Sequence, residues 1–403
     1  MARADQQKTP AYATSCLLAA QILVWLTIVF FYANRDDWWP YVFNPASPHL
    51  QGFLISPFVH LHPFHLGVNL AVLWLFGVPV ERGLGSLRFL ALFLASAWCA
   101  SVMHWAVIYA FHGNLLVMPA DGGADQVPRA AALGSSGAVA GVLGVYCVRF
   151  PHVPIRFPLL PDWRIQPLHL LGAWVLLELV QALSTTVGQS PSSVGHWAHF
   201  AGFVFGMWYA RVLGLQRRAR GDQLSQAADD AAARGDYAAA AQAWSALLAS
   251  DRENFALRRK LVAARIAQAD LDGAAALAAE TLQLAVRGRH TQAAVADYRY
   301  YGAMFPRLRL LHGIRFRIGT WMAELGDPAG AYEALALAAE EDAATPGAAS
   351  ALFRAGEVAA DCLHDPLRAR QMWRRILLDH PHSPFHDLAQ QRLQALSQPR
   401  SPS

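Results

Sequence analysis

The sequence predicts an all-α protein in two parts: a polytopic bundle of six transmembrane helices, followed by a soluble α-helical repeat domain. Three observations support this fold class. Apolar residues make up 54% of the 403 residues and are concentrated before about residue 214. Six apolar runs in that half approach the length needed to cross a hydrocarbon layer of roughly 30 Å. The second half has helix-spaced apolar residues among many alanines, with no run long enough to span.

The domain boundaries follow from these composition changes. We expect an N-terminal cytoplasmic segment at 1–12, a membrane domain at 13–214, a helical repeat domain at 215–396 and a flexible tail at 397–403. The six apolar runs are about 13–32, 64–80, 88–111, 134–150, 167–187 and 195–214. The first run could be a signal peptide, but the polar stretch Asn34-Arg35-Asp36-Asp37 follows it instead of a small-residue cleavage site. This favours a retained helix.

Lysine and arginine are concentrated in alternate loops, which predicts the orientation of the membrane domain. With the N-terminus inside, the inner segments contain Arg3, Lys8, Arg82, Arg88, Arg149, Arg156, Arg164, Arg211, Arg217, Arg218 and Arg220. The outer loops contain only Arg35 and Arg129. Both termini are therefore expected in the cytoplasm. Because organellar targeting features are absent from the sequence, a bacterial inner membrane is favoured.

Charge and cysteine content exclude several functions. The net charge of +4 is modest for this length, and no basic patch with interleaved aromatic residues indicates nucleic-acid binding. The four cysteines, Cys16, Cys99, Cys147 and Cys362, occur singly and lack metal-ligand spacing. No metal or organic cofactor is implied.

Two short stretches carry a candidate nucleophile and a candidate base. Leu133-Gly134-Ser135-Ser136-Gly137 places a hydroxyl at the start of the fourth run, and Gly195-His196-Trp197-Ala198-His199 places histidines at the start of the sixth. Serine and glycine also serve as packing residues in membrane helices, so the first stretch alone could be a packing patch. In the predicted orientation, however, Ser136 and His199 both lie just below the outer surface, where a base could meet a nucleophile.

Glycines follow both stretches at helical spacing. Gly137 and Gly141 lie on the fourth run, and Gly202 and Gly206 lie on the sixth. Small residues at this spacing allow helix backbones to approach closely. Packing of these two faces would bring the serine hydroxyl and the histidine ring within hydrogen-bond reach.

A third polar cluster precedes and opens the second run. His60 and His62 lead to His65 and Asn69, which are four residues apart and share one helix face near the outer end. Polar side chains in a bilayer are costly and often mark functional sites. Interhelical hydrogen bonding is the alternative, but three polar sites at one depth favour a functional role.

Together these motifs resemble those of the rhomboid family of intramembrane serine proteases, over about residues 13–214. The matched elements are Gly134-Ser135-Ser136-Gly137, then Ala198-His199 with Gly202 and Gly206, then His60, His65 and Asn69, and finally Val80-Glu81-Arg82-Gly83-Leu84-Gly85-Ser86 after the second run. The resemblance implies a six-helix core with Ser136 as nucleophile and His199 as general base. It also implies an oxyanion hole formed by His65, Asn69 and the backbone N–H of Ser136.

Two positions depart from the family pattern. Ala140 stands where many members carry an aromatic residue that stacks on the catalytic histidine, so another group must hold His199. Gln51-Gly52 stand where a Trp-Arg pair is often found in the first outer loop. The segment Trp38-Trp39-Pro40-Tyr41 in that loop has the amphipathic character expected of a membrane-dipping element.

The remaining polar residues near the site are interpreted as supporting groups. Glu178, in the fifth run, lies nearer mid-membrane when counted along the topology, and we interpret it as a structural hydrogen-bonding residue. A Ser-His-Asp triad therefore has no evident third member. His196 competes with His199 as base, but only His199 matches the motif, so His196 and Trp197 are interpreted as rim residues.

The C-terminal half contains recurring turns. Asp236 and Asp270 are 34 residues apart, which is the tetratricopeptide period, and Gly326-Asp327-Pro328 and His364-Asp365-Pro366 resemble two further turns. The spacing between 270 and 327 is irregular, and coincidental alanine-rich helices are the alternative. A stacked helical array has a concave peptide-binding surface, which predicts a cytoplasmic protein or peptide partner.

The sequence therefore predicts a serine endopeptidase that cleaves single-pass membrane proteins near the outer face of the lipid bilayer. The resemblance implies substrates whose helix unwinds easily near the cut. The alternative is a weak or inactive scaffold of the same fold that recruits partners through its repeats. Retention of Ser136 and His199 argues against the scaffold, whereas Ala140 keeps it open. A transporter has less support, because the spans show no inverted repeat and few charges.

Overall fold

The computed structural model describes residues 10–32, 38–45, 48–60, 62–111, 131–157, 160–187, 195–311, 313–341, 343 and 345–397. Four of the charges used to predict the orientation, Arg3, Lys8, Arg35 and Arg129, lie outside these residues. The chain divides into two compact units, Met1–Gln223 and Leu224–Ser403.

The first unit consists mainly of apolar helices. These are α1 (Tyr12–Phe31), α2 (Leu50–Ile55), α3 (Pro63–Val72), α4 (Val78–Leu84), α5 (Ser86–Phe111), α6 (Ser136–Arg149), α7 (Pro167–Val187) and α8 (His196–Val212). A π-helical turn at Leu73–Gly77 joins α3 to α4. Pro79 explains this turn, because proline has no N–H and its ring crowds the carbonyl four residues earlier.

Four helices are long and apolar enough to cross a membrane: Tyr12–Phe31, Pro63–Leu84, Ser86–Phe111 and Pro167–Ser184. The protein is therefore a multi-pass membrane protein. The other two predicted spans are shorter, because α6 has 14 residues and α8 has 17, against about 20 for a usual span. Helix α6 packs against α5 and α8, and every residue from Gly137 to Tyr146 in it is buried.

The glycines set the distance between α6 and its neighbours. A Cβ at Gly202 would meet the carbonyl of Gly137, and a Cβ at Gly206 would meet the carbonyl of Gly141. A Cβ at Gly141 would meet the hydroxyl of Ser96 on α5. Helices α6 and α8 therefore lie backbone against backbone, at a separation that only glycine permits.

The buried carboxylate of Glu81 holds the N-terminus of α1. Its oxygens accept hydrogen bonds from the backbone N–H groups of Ala13 and Thr14, at 2.8 and 2.7 Å, and from the hydroxyls of Thr14 and Ser86, both at 2.6 Å. Because the first N–H groups of a helix have no partner within it, this carboxylate completes the helix.

The expectation of an all-α protein is wrong in one place. Ile155–Phe157 and Leu160–Ile165 form an antiparallel two-stranded sheet, with Ile155 opposite Ile165 and Arg156 opposite Arg164. Pro154 and Pro161 explain the difference, because proline cannot continue a helix interior.

In the predicted membrane-dipping segment, Trp38 faces the protein, whereas Pro40 is exposed. Trp38 is 7% exposed and packs with Val42 and Val59 inside the protein. Gly52 on α2 lies against this loop, since a Cβ there would approach the carbonyl oxygen of Val42 at 3.0 Å. The loop is thus packed onto α2, and a side chain at Gly52 would separate them.

The second unit is helical. It contains the end of α9 (Leu215–Ala233), then α10 (Tyr237–Ser250), α11 (Phe255–Ala267), α12 (Leu271–Arg287), α13 (Thr291–Met304), α14 (Ile314–Glu324), α15 (Pro328–Glu341), α16 (Pro346–Glu357), a π-helical turn at Val358–Cys362, α17 (Pro366–Asp379) and α18 (His386–Ser397). Its core contains many alanines together with Leu282, Tyr301, Ile318 and Trp373.

Four turns of the second unit share one local structure. A residue with positive φ is followed by an aspartate whose side chain accepts a backbone N–H of the next helix, at Gly235-Asp236, Ala269-Asp270, Gly326-Asp327 and His364-Asp365. The structure adds a fifth turn, at Arg289-His290, which the sequence analysis missed because histidine replaces the aspartate.

Candidate active site

The structure brings the predicted nucleophile and base together. Ser136 is the first residue of α6, and His199 lies in the first turn of α8. The Nε2 atom of His199 is 2.8 Å from the Oγ atom of Ser136, which is the distance of a hydrogen bond between a hydroxyl and an acceptor. Both side chains are partly buried. This contact is the geometry that general-base activation of a serine requires.

Gly134 shapes the turn that leads to the nucleophile. Its φ of +99° lies in a region that side chains rarely adopt, and a Cβ there would approach Cε1 of His65 at 2.7 Å. Both facts require glycine at this position. The turn therefore brings the residues before Ser136 directly against the His65 ring.

Several contacts from the preceding chain hold this turn. The N–H of Gly134 donates to the carbonyl of Ser56 at 2.9 Å. Phe43 and Ala132 exchange backbone hydrogen bonds of 3.2 and 3.0 Å as an isolated antiparallel bridge. The approach to α6 is therefore fixed by backbone contacts with the first loop.

His60, predicted as a supporting residue, binds the same turn. Its Nε2 atom accepts the N–H of Ser135 at 3.4 Å, and its Nδ1 atom lies 3.2 Å from the carbonyl of Phe58. Burial, assisted by the nearby His65, lowers the pKa of His60 to about 4. The ring is thus neutral at pH 7, with the proton on Nδ1, and Nε2 is free to accept.

Gln21 is a site residue that the sequence analysis missed. It lies within α1 and is fully buried, and its side-chain oxygen accepts the hydroxyl of Ser135 at 2.7 Å. Its amide nitrogen donates to the carbonyl of Leu17 at 3.2 Å. A glutamine within a membrane helix is a signal that could have indicated this role, because such polar groups need a partner.

The structure places the two oxyanion-hole candidates differently. His65 contacts the turn at Gly134 and lies 5.2 Å, between ring centroids, from His60. Asn69 is buried, and its amide donates to the carbonyl of His65 at 2.9 Å. The N–H of Ser136 begins a helix and so has no carbonyl partner within it.

Glu178 forms hydrogen bonds, as predicted, but its placement nearer mid-membrane than the dyad is wrong. Its Oε2 atom lies 3.1 Å from Nδ1 of His199, on the side of the ring opposite Ser136. Counting residues from the helix ends gave the wrong depth for Glu178. Glu178 is nine residues before the end of α7 at Val187, while His199 is three residues after the start of α8. At 1.5 Å per residue this predicts a difference of about 9 Å in depth, yet the two side chains are in contact.

The interpretation of His196 as a rim residue is also wrong. Its side chain is 9% exposed, and its Nδ1 atom lies 2.8 Å from the same Oε2 atom of Glu178. Trp197, which was grouped with it, donates its indole N–H to the hydroxyl of Thr186 at 3.0 Å. The two residues therefore fasten the start of α8 to α7.

Two residues of α7 contact His199 and take the role that an aromatic residue at position 140 would have. Trp174 lies with its ring centroid 6.3 Å from that of His199, and Glu178, one turn further along, bonds the same imidazole. Both residues lie on one face of α7. They hold His199 from a different helix than the family's usual aromatic residue.

The same cluster is where a metal ion could be considered. Within the part of the chain that the structure describes, Glu178, His196 and His199 are the one group of three or more potential ligands whose atoms lie within 4.8 Å of one another. Hydrogen bonds between these groups account for the arrangement. The four cysteines are unpaired and are not part of this group.

Comparisons with known proteins agree with this geometry. Residues 47–216 match the rhomboid domain family. The chain is 30% identical over 170 residues to presenilin-associated rhomboid-like protein A, mitochondrial, of Danio rerio, which covers 41% of this chain and 38% of that protein. It is 28% identical over 167 residues to the corresponding human protein, covering 41% and 39%.

A third relative is rhomboid protein 1, mitochondrial, of Saccharomyces cerevisiae, with 29% identity over 170 residues, 41% of this chain and 43% of that protein. The chain thus spans less than half the length of these relatives. All three are named as mitochondrial proteins, so they give no support to the expectation of a bacterial membrane. The alignments account for less than half of this chain, and its helical C-terminal region is not assigned. Residues 47–216, the part of the chain that holds Ser136 and His199, thus match a rhomboid domain.

Proposed function

We propose that the protein is an intramembrane serine endopeptidase that cleaves membrane-anchored proteins near the outer face of the bilayer. The observation that carries the proposal is the 2.8 Å contact between Ser136 Oγ and His199 Nε2. A neutral imidazole at that distance can take the hydroxyl proton as the oxygen attacks a peptide carbonyl. An inactive scaffold would have no use for this contact.

In the proposed reaction, Ser136 forms an acyl-enzyme and His199 returns the proton to the leaving amine. Water then enters from the outer side and is activated by the same histidine. The negative charge on the tetrahedral intermediate is stabilised by the N–H of Ser136 at the start of α6 and by the side chains of His65 and Asn69. Asn69 has a second amide N–H available for this after its bond to the carbonyl of His65.

The test is cleavage of a single-span substrate by the full-length protein in liposomes. Ser136→Ala and His199→Ala should each lower kcat by about 10⁴-fold or more. Wild type should react with a fluorophosphonate probe, and Ser136→Ala should not. If the folded wild-type protein neither cleaves the substrate nor reacts with the probe, the scaffold becomes the better proposal.

We also propose that the second unit faces the cytoplasmic side, or its equivalent in the membrane that houses the protein. The arginines of the inner loops support this orientation. A single cysteine at the exposed position Leu378, in a variant without the four natural cysteines, tests it. It should react with an impermeant maleimide only after the cells are opened, and labelling of intact cells would reverse the orientation.

The bacterial inner membrane remains our proposal for the compartment. The lysine and arginine bias of the loops supports it, whereas the names of the relatives favour mitochondria. Expression in both kinds of host, with fractionation of the membranes, would decide between them.

For the second unit we propose tetratricopeptide-like repeats that bind a substrate tail or another cytoplasmic peptide. Its paired helices and recurring aspartate turns support this. A groove lined by Leu271, Ala275, Met304, Phe305 and Arg307 is a candidate binding surface. A photoreactive residue at Met304 should crosslink to the substrate's cytoplasmic tail, whereas one at Leu378 should not. Equal crosslinking at both positions would contradict the groove.

A further inference from the structure

We propose that Glu178 is the third member of a Ser136-His199-Glu178 triad and that His196 fixes this carboxylate in place. Glu178 acts here as a positioning residue for the base, not as a group that touches the substrate. The inference rests on the proposed protease function and extends it, since the sequence alone predicts a dyad without a carboxylate.

The hydrogen-bond geometry determines which nitrogen of His199 carries the proton. An ionised carboxylate has no donor, so a ring nitrogen that bonds to it must carry a hydrogen. Nδ1 of His199 is 3.1 Å from Oε2 of Glu178, so the proton of the neutral ring is on Nδ1. Nε2 is then the acceptor that faces the hydroxyl of Ser136 at 2.8 Å. This is the tautomer that proton abstraction requires.

The same contact favours the charged form of the base. When His199 takes the proton of Ser136, both ring nitrogens carry hydrogens and the ring becomes an imidazolium. Glu178 and His199 have side chains only 12% and 14% exposed. At such burial a carboxylate next to the developing positive charge is screened little by solvent, so it stabilises that charge more than a surface group would.

His196 completes the shell around the carboxylate. A buried carboxylate with a single hydrogen bond would be costly, but Oε2 of Glu178 has a second donor in Nδ1 of His196, at 2.8 Å. His196 and His199 are three residues apart on one face of α8. The helix that carries the base therefore also carries the residue that holds its carboxylate partner.

The remaining groups around His199 do not offer another carboxylate. Trp174 and Glu178 face it from α7, His196 from its own helix and Ser136 from α6. His65 on α3 is near enough to His199 to interact with it electrostatically. Among these described neighbours Glu178 is the one acid, so its removal leaves the imidazolium without a counter-charge.

The experiment compares Glu178→Gln, Glu178→Asp and His196→Gln with wild type, in liposomes, over a range of pH. Glutamine can donate to Nδ1 and thereby move the ring proton to Nε2. Glu178→Gln should therefore lower kcat by about 10³- to 10⁴-fold with KM nearly unchanged. The acid limb of its kcat/KM profile should move to lower pH, because the imidazolium has lost its counter-charge. Fluorophosphonate labelling of Ser136 should slow in parallel.

The other variants separate positioning from folding. Glu178→Asp keeps a carboxylate and should recover a substantial part of the lost rate. His196→Gln should cost less than Glu178→Gln, about 10- to 100-fold. Leu177→Ala, at a 55% exposed position on α7, is the control for disturbance of that helix and should behave as wild type.

Two outcomes overturn the inference in distinguishable ways. If Ser136→Ala is inactive but Glu178→Gln keeps wild-type kcat and an unmoved acid limb, the protease stands and the triad does not. If Glu178→Gln does not fold, Glu178→Met replaces it as a variant of similar size without a carboxylate, and wild-type kcat with an unmoved acid limb in that variant counts against the triad. If wild type neither cleaves the substrate nor is labelled by the fluorophosphonate, the proposed protease function is itself contradicted.

Discussion

The two units of this chain are both helical, yet they hold their helices together by different means. In the first unit, α6 and α8 meet at Gly137, Gly141, Gly202 and Gly206, with carbonyls where side chains would otherwise lie. In the second unit, helices meet through side chains such as Trp373, which is 1% exposed. In lipid the hydrophobic effect contributes little to helix association, so close backbone contacts and hydrogen bonds hold the helices together. In water, burial of apolar area suffices.

The largest loss of stability is expected for Trp373→Ala. The change should lower the free energy of unfolding of the second unit by about 3–5 kcal/mol, through lost apolar burial and the cavity that remains. Leu378→Ala on the same helix, 77% exposed, should change little. Chemical denaturation followed by circular dichroism measures both, and equal effects would contradict a core held by large side chains.

Gly206→Ala tests the other kind of packing. Alanine is favoured over glycine in a helix by about 1 kcal/mol, so only a clash can make this change unfavourable. A Cβ at Gly206 would meet the carbonyl of Gly141, and we expect a loss of about 1–3 kcal/mol together with loss of cleavage. Gly172→Ala on α7, where nothing lies within 4 Å of a Cβ, is the matched control. Thermal stability in detergent should fall only for Gly206→Ala.

A third prediction concerns the polar bonds of the first unit. Gln21→Leu would leave the buried hydroxyl of Ser135 without the partner seen at 2.7 Å, at a cost of about 1–3 kcal/mol. Cleavage should fall as well, because Ser135 precedes the nucleophile. The double variant Gln21→Leu/Ser135→Ala removes both partners and should be more stable than Gln21→Leu alone. If the loss of stability in the double variant equals the sum of the losses in the two single variants, the pair does not interact.

The smallest effect is expected at a turn of the second unit. The side chain of Asp270 accepts the N–H of Gly273 at 2.9 Å and so caps α12. Asp270→Ala should lower the stability of the second unit by about 1 kcal/mol, whereas Asp270→Asn retains an acceptor and should lower it less. Urea titrations of both variants measure the difference. Equal losses would assign the effect to charge instead of capping.

Much of the membrane unit was predictable from local patterns. Apolar runs located the long helices, and glycine spacing indicated which faces of α6 and α8 could meet. The contact of Glu178 with His199 was not predictable, since it depends on the rotation and relative height of α7, which no local pattern encodes. The Gln21 bond to Ser135 joins residues 114 apart in the chain and was missed for the same reason.

In the second unit, aspartate turns revealed four helix starts because a capping side chain is a local signal. The turn at Arg289-His290 lacks that signal and was missed. Proline explains both irregularities of the first unit, the π-helical turn before Pro79 and the paired strands at 155–157 and 160–165. In each case the proline was visible in the sequence, but the backbone geometry that results from it could not be predicted.

The contacts around the nucleophile also bear on the order in which the chain is made. The groups that hold the turn before Ser136, from Gln21, Ser56 and His60, are all synthesised before it. Its base and the carboxylate behind the base, at His199 and Glu178, emerge afterwards. In the proposed protease, Ser136 is therefore synthesised before its base, and the contact between the two requires α8 to be in place.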